Sequence, residues 1–580
     1  MSQKRASFVR RFFFGEVTPN LSAENPFLKK ETVKSGRQLI TREEAAAISD
    51  IEPGDPGLSF GGIRVGSKTN LIICGQTQSG KTTLLKQRMA EALLKVQKGS
   101  DERVVIYDAT GDFIPFVYAI LGADAPVIIL DPEDKRGYAW DVSADIRKPA
   151  QAKNLADILI TKEAHEEAFF VNGARGITKA ILESFLLHKE DVRKRGEFFS
   201  WTLLDLFNAM KTKQRVREVL GYWTGRGDKD FEQEIEFFLE RVNNDILSTI
   251  LTKIGDSLLV AAMWDKLPSI SIRDFVESEN GRVIIITNSN ETSSVVTELN
   301  RLFIERLAET LLDLPTSTGK RKRTHIFLDE FTELGKLKAT KNLLKLGLKK
   351  GVRLCLCYQN YEEVKEVYGD KQASVILSES NTIAFLRQTG DSAEAAAKFI
   401  GKQVVIVKNQ SRGGSSGAQG ASYQFGENDQ EVERWTVPAE HFDTEILPAN
   451  AKNGVGGFFM SPSVRDVWFH QAAWSELKEI ATAYSENSDH EPKQPREGIK
   501  YQFLRDWTVE EKQKFGVSIN APGKGQESQK AQASAAAIRD GASTGFDLSE
   551  YTERLKEKKA KRLTREEIQA LIQDAGRELF

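Results

Sequence analysis

Short, unbroken hydrophobic runs alternate with helix-length amphipathic stretches in two separate parts of the chain. The first part holds LIIC (71–74), RVVIYDATGD (103–112) and APVIILDPED (125–134). The second holds GRVIIIT (281–287), the run from Ile326 to Leu328, VRLCLCYQN (352–360) and TIAFLRQ (382–388). Runs that are apolar on both faces mark strands buried in a parallel sheet, with helices as crossovers. From about 149 to 267 the spacing becomes helical, as in ARGITKAILESFLLHKE, without a convincing strand run. That predicts an all-helical insertion in an α/β core. A long amphipathic helix is expected over about 294–314.

The flanks read differently. Residues 1–60 are polar and rich in Gly and Pro around TREEAAAIS, where Thr41 and Glu44 fit a capping box. VVIV (404–407) leads into NQSRGGSSGAQGASYQFGEND, a flexible loop or hairpin tip. The core is expected to close near 474–483. Beyond 485 the chain is polar, and PGKGQESQKAQASAAA has a disordered composition. The stretch 547–580 carries a basic run, KEKKAKR, and a Thr564/Glu567 capping box that predict a terminal helix. The division expected is an N-terminal segment (1–60), a nucleotide-binding domain in two parts (61–148 and 273–484), the helical insertion (149–272) and a mostly disordered tail (485–580).

The run 71–74 leads into GQTQSGKT, which satisfies GxxxxGK[ST] at every position, and then into a helix-forming stretch. This is a P-loop in its strand-loop-helix setting, and it predicts a bound nucleoside triphosphate. Gly75, Gln76, Thr77, Gln78, Ser79, Gly80, Lys81, Thr82 and Thr83 are the nucleotide-binding set. Glycine permits N–H groups to converge on phosphate oxygens at a helix N-terminus; Lys81 should reach the β- and γ-phosphates and Thr82 should ligate Mg²⁺. Downstream, FLDEFTELGKL places Asp329 and Glu330 at a strand end, a Walker B pattern in which Asp329 holds the metal and Glu330 accepts the proton of the attacking water. Gln359 ends another strand, where its amide senses the γ-phosphate, orients water, or simply terminates the strand. Asp108 is placed near the nucleotide edge, and Asp131 is read equally as edge residue or helix cap.

With 580 residues, and roughly 150 per domain, three or four units are expected; 40% hydrophobic content supplies real cores. Formal charge is −2, so nucleic-acid contact would have to come from local clusters such as GKLKATKNLLKLGLKK. There Lys338, Lys341, Lys345 and Lys349 recur at helical spacing, to track a phosphate backbone or to form a solvated face. Cys74, Cys355 and Cys357 sit in apolar runs and read as small core residues. No window reaches the roughly 18 uncharged apolar residues of a membrane span, which predicts a cytosolic chain. Phe12, Phe13 and Phe14 beside Arg10 and Arg11 fit either peripheral membrane attachment or docking to a protein.

GQTQSGKTT, DPEDKRGYAWDV followed by AKNLADILI, FLDEFTELGKL, GVRLCLCYQNYEEVKEVYG and TIAFLRQTGDSAEAAAKFIG together resemble the type IV secretion coupling proteins of the TraD/TrwB/TraG kind. The resemblance covers about 60–475. It implies a RecA-like P-loop ATPase with an all-α inserted domain, ATP and Mg²⁺ as cofactors, and hexameric assembly. It further implies translocation of single- or double-stranded DNA, with relaxase or relaxosome proteins and channel ATPases or inner-membrane components as partners. Three features depart from the family: no membrane helices, Trp140-Asp141 where Trp-Asn is usual, and Gly347-Leu348 where Gly-Arg supplies a trans-acting finger. Arg353, then Lys349, then Arg387 are the replacement cations expected. A substrate-recruiting adaptor that uses ATP for assembly, and a HerA/FtsK-like motor, are the alternative functions.

Overall fold

In a computed structural model the protein is described over residues 32–472, except 97–101, 123, 162–166, 224–225, 227–228, 242–243, 266, 279–280, 289–292, 316–322, 418–419 and 451, and again at 494, 496 and 505–517. The chain divides into two compact units, cut at Trp140/Asp141, Pro268/Ser269 and Pro495/Arg496. The first unit is built on a ten-stranded sheet. Numbered along the chain, its strands are β1 (Leu39–Ile40), β2 (Leu71–Cys74), β3 (Glu102–Asp108), β4 (Val127–Leu130), β5 (Val283–Thr287), β6 (Arg323–Leu328), β7 (Val352–Tyr358), β8 (Thr382–Phe385), β9 (Val455–Ser461) and β10 (Val464–Ala472). Their order in the sheet is β1-β10-β9-β8-β2-β7-β6-β3-β5-β4.

The seven strands from β8 to β4 run parallel. Each of the hydrophobic runs read as a buried strand is one of them. Continuous apolar sequence is what burial on both faces demands, and β2 and β5 are buried at every position. Leu85, Met89, Phe113 and Phe116, from the helices Lys81–Leu93 and Phe113–Leu121, pack with Ile73, Ile106 and Phe327 into one core cluster.

Two features of this unit were not legible. β9 and β10 form an antiparallel hairpin whose sequence, broken by Gly456, Gly457 and Pro462, carries no clean alternation. The N-terminal segment is built into the sheet: Leu39–Ile40 pairs with β10, and Thr32–Ser35 pairs with a long hairpin. That hairpin, Lys402–Gly417 with Gly420–Trp435, keeps register from Lys402↔Trp435 to Gly417↔Gly420. At the usual rise, 16 residues per strand reach about 50 Å, so the Gly/Ser-rich stretch is its distal end. The Thr41/Glu44 capping box forms as read, opening the helix Arg42–Ile48.

The second unit is helical, with Pro149–Leu159, Ala168–Lys194, Leu203–Met210, Lys213–Gly221, Lys229–Arg241 and Asn244–Trp264 as its main elements. Immediately outside it, Ala139–Trp140 and Ser269–Ile270 pair as a short parallel ladder, which brings the two ends of the insertion together. The polar stretch after 485 also contributes. Residues 505–517 lie on the helices: the Trp507 ring stacks on Phe515 at 4.4 Å, its Nε1 donates to Asp205 at 2.8 Å, and Phe515 meets Phe185 at 4.9 Å. Arg505 forks onto Asp265 at 2.9 and 3.0 Å. Among the described residues no single helix is long and apolar enough to cross a membrane. The Phe12–Phe14 cluster, the 474–483 closure and the terminal helix lie outside the described residues.

Candidate nucleotide site

All the strand ends that carry candidate chemistry meet at one edge of the sheet. The register aligns Cys74 with Tyr358 and Phe385, and Leu328 with Tyr107 and Leu356. The loop after β2, Asp329–Glu330 after β6, Gln359 after β7, Arg387–Gln388 after β8 and Asp108 therefore share the carboxyl edge, where such sheets bind ligands. Only β7 separates the P-loop strand from the Asp329 strand, so Gln359 is placed between the two motifs.

The loop is shaped by its glycines. A Cβ on Gly75 would lie 2.5 Å from the Ser79 Oγ, and one on Gly80, at φ +90°, would lie 2.6 Å from Val455. The helix beginning at Lys81, with Thr82 and Thr83 in its first turn, leaves its first N–H groups without intrahelical acceptors. Among the described residues only Gln78 (φ 63°) and Glu330 (φ 55°) carry side chains in the left-handed region, and both stand in this site. Strain of that kind costs about 1–3 kcal/mol and persists where the surroundings impose it.

Lys81 Nζ and Glu330 Oε2 form an ion pair at 2.5 Å, both side chains about nine-tenths buried. The other Glu330 oxygen accepts from Thr332 Oγ1 at 3.0 Å and from the Gln359 N–H at 3.2 Å. The Gln359 Oε1 in turn accepts from Thr77 Oγ1 at 3.0 Å. Gln359 thus links the P-loop to the Walker B carboxylate through its side chain and its backbone at once. Thr332, two residues beyond Glu330, was missed; a threonine there carries no distinctive sequence signal.

Asp329 is buried, and burial pushes its carboxyl up to about 7, with Lys81 opposing and the nearby Asp108, Glu330 and Glu333 reinforcing. Its Oδ1 has no hydrogen-bond partner among the described residues, nor has the buried Ser79 Oγ. A buried carboxylate oxygen without a donor, and a hydroxyl without an acceptor packed against Gly75, fit a Mg²⁺ ion and a phosphate respectively.

Other candidates have different surroundings. Asp108 accepts the N–H groups of Gly111, Asp112 and Phe113 at 2.7, 3.1 and 2.8 Å, so it orders the turn into the next helix. Asp131 accepts from Thr287 Oγ1 at 2.6 Å and from the Glu133 N–H at 2.8 Å. Arg387 lies beside its own P-loop, its carbonyl accepting the Gln76 N–H at 3.0 Å and its guanidinium 3.2 Å from Asp443. Arg353 lies at the opposite edge, its guanidinium bonded to the Ser67 and Val352 carbonyls at 2.8 and 3.0 Å. The lysine-rich stretch is regular helix only over Thr340–Leu346, followed by a tighter turn, Gly347–Lys350. Lys338, Lys341, Lys345 and Lys349 are exposed, with Lys345 3.4 Å from Glu379.

This fold and this edge define a RecA-like P-loop NTPase. Residues 62–447 match the family described as the type IV secretion-system coupling protein DNA-binding domain, and the chain belongs to that family. It is 24% identical over 387 residues to coupling protein TraD of Escherichia coli (strain K12), covering 64% of this chain and 50% of TraD, so it spans about half the length of that relative. It is similar to the unbound form of the conjugative coupling protein TrwBdeltaN70, with TM-score 0.55, 17% identity and coverage of 76% of this chain and 93% of that one. The plasmid coupling protein TrwB in complex with ADP and Mg²⁺ gives TM-score 0.54, 18% identity and coverage of 77% and 95%. TrwB with the non-hydrolysable ATP analogue ADPNP gives 0.53, 17%, 79% and 96%.

Proposed function

We propose that this chain is an ATPase that translocates DNA, recruiting a relaxase-bound strand and feeding it to a type IV secretion channel. The observation that carries the reading is the convergence of Lys81, Asp329, Glu330 and Gln359 on one sheet edge. Bound Mg²⁺, held by Thr82 and Asp329, would supply charge neutralisation at the β- and γ-phosphates. Lys81 is paired with the carboxylate that must accept a proton. A triphosphate would draw Lys81 onto its own oxygens and release Glu330 toward water, while Gln359 reports that exchange to Thr77. Arg353, at the amino edge, is the cation proposed to act on a neighbouring subunit's nucleotide in a hexameric ring, exchanging its own-chain carbonyls for phosphate.

The DNA half of the proposal is supported by the family's description and by the exposed lysines at 338, 341, 345 and 349. Relaxase proteins, channel ATPases and inner-membrane components are the partners proposed, with the chain at the cytoplasmic face of the membrane. The deciding experiment is ATP turnover by the purified protein with and without single- and double-stranded DNA over a series of salt concentrations. Stimulation that declines steeply with salt is expected. Turnover indifferent to both DNAs would favour the recruiting adaptor instead.

A further inference from the structure

At the amino edge of the sheet, opposite the nucleotide site, lies a small cleft. Arg88, Lys95, Arg323 and Arg353 line it together with His325, over a floor that includes Thr69. Two carboxylates stand nearby, and both are already shared. Glu91 is paired with Arg88 and, at 3.2 Å, with Arg64. Glu102 is paired with Arg323 at 3.3 Å and with His325 at 2.7 Å.

Four cations lining the cleft therefore face two acids, and the surplus is specific. Lys95 is half-buried, and burial holds its ammonium below its usual range against the pull of Glu91 and Glu102, each of which is already shared with other cations. Arg88 Nε is buried without a partner. An ammonium half removed from water whose neighbouring acids are already paired with other cations, beside a buried guanidinium Nε without a partner, is an arrangement that folding alone does not favour. A tetrahedral dianion supplies several acceptors to converging donors of this kind.

We propose that this cleft is a second phosphate-binding site, separate from the P-loop, in which Lys95, Arg88 and Arg323 hold one phosphate group. The group is either a free phosphate or phosphomonoester, or a phosphodiester of a nucleic-acid backbone. The site does not depend on the ATPase reading, and its test is run on protein that cannot turn over ATP.

The full chain carrying Lys81→Ala, which disables the P-loop, is melted in rising inorganic phosphate against chloride at matched ionic strength. A second protein adds Lys95→Gln and Arg323→Gln. Phosphate should raise the Tm of the first protein, and the midpoint concentration should rise at least tenfold in the second. Equal responses in the two proteins, or no response beyond chloride in the first, overturn the site; melting in chloride alone establishes that the second protein is folded. Fluorescence anisotropy with a single-stranded oligonucleotide and its methylphosphonate analogue assigns the source. Weakening of the phosphodiester strand alone by Lys95→Gln and Arg323→Gln identifies a backbone phosphate, and unchanged binding of both strands identifies a small phosphorylated ligand.

Discussion

Lys81 and Glu330 hold each other in a buried ion pair, so a change at either removes a chemical group and a buried partner together. Lys81→Ala is expected to abolish turnover, because nothing else in the loop neutralises the β/γ-phosphates. Glu330→Gln should keep nucleotide binding while lowering kcat by about 10²- to 10⁴-fold, since proton acceptance is lost. Equilibrium binding of a fluorescent nucleotide beside steady-state turnover separates the two, and normal turnover by Glu330→Gln would remove it from the base role. His470, in β10, offers a different kind of test. Its ring packs so closely on Gly62 that a Cβ there would lie 2.6 Å away. Burial, reinforced by Arg42 and opposed by Glu43, pulls the imidazole down to about 4. Between pH 4 and its ordinary 6.5 the unfolded chain therefore binds the additional proton. Stability is full above that window and declines as pH falls through it, by at most about 3 kcal/mol from this residue. Urea midpoints at pH 7 and pH 5 should differ more in the wild type than in His470→Gln.

Among the elements, the segment 505–517 changes where the tail begins. Trp507 and Phe515 complete an aromatic cluster with Phe185, Trp201 and Phe199 on the helical unit, and Arg505 is fastened to Asp265 and Glu511. A boundary at 485, drawn where the composition turns polar, leaves this strap on the wrong side. Its two anchors are isolated in a polar stretch, and nothing in their spacing says what they cover. Trp507→Ala is expected to destabilise the helical unit by about 3–5 kcal/mol. A chain ending after 517 should melt like the full protein and one ending after 484 at lower temperature, by scanning calorimetry. Coincident melts of the two truncations would show the strap to be energetically idle.

For the whole molecule, the position of Leu348 means that a ring of these subunits would need its trans-acting cation from somewhere else. Arg353 occupies the edge remote from its own P-loop, whereas Arg387 lies beside its own, so Arg353 is the cation proposed to act across a boundary. Neither Lys81→Ala nor Arg353→Ala subunits should turn over alone, but mixtures of the two should regain activity. Full turnover by Arg353→Ala would move the assignment to Lys349. Deleting 518–580 should leave ATP turnover intact and impair capture of a relaxase or channel partner, measured by pull-down with those components.

What the sequence determined by itself was whatever rests on local covalent pattern. A strand buried on both faces must be apolar throughout, and a phosphate cradle needs Gly75, Gly80 and Lys81 at fixed spacing. The parallel core, the helical insertion and the strand-end positions of the P-loop and of Asp329–Glu330 were accordingly legible. What only the tertiary structure decided depends on partners distant along the chain. The register that sets Gln359 between Thr77 and Glu330 spans 282 residues, and the pair that parks Lys81 on Glu330 spans 249. Left-handed backbone at Gln78 and Glu330, β1 supplied by the N-terminal segment, and the strap over Asp205 are likewise imposed by surrounding packing. No local propensity encodes contacts of that range, because their energy is released only when the sheet edge has already formed.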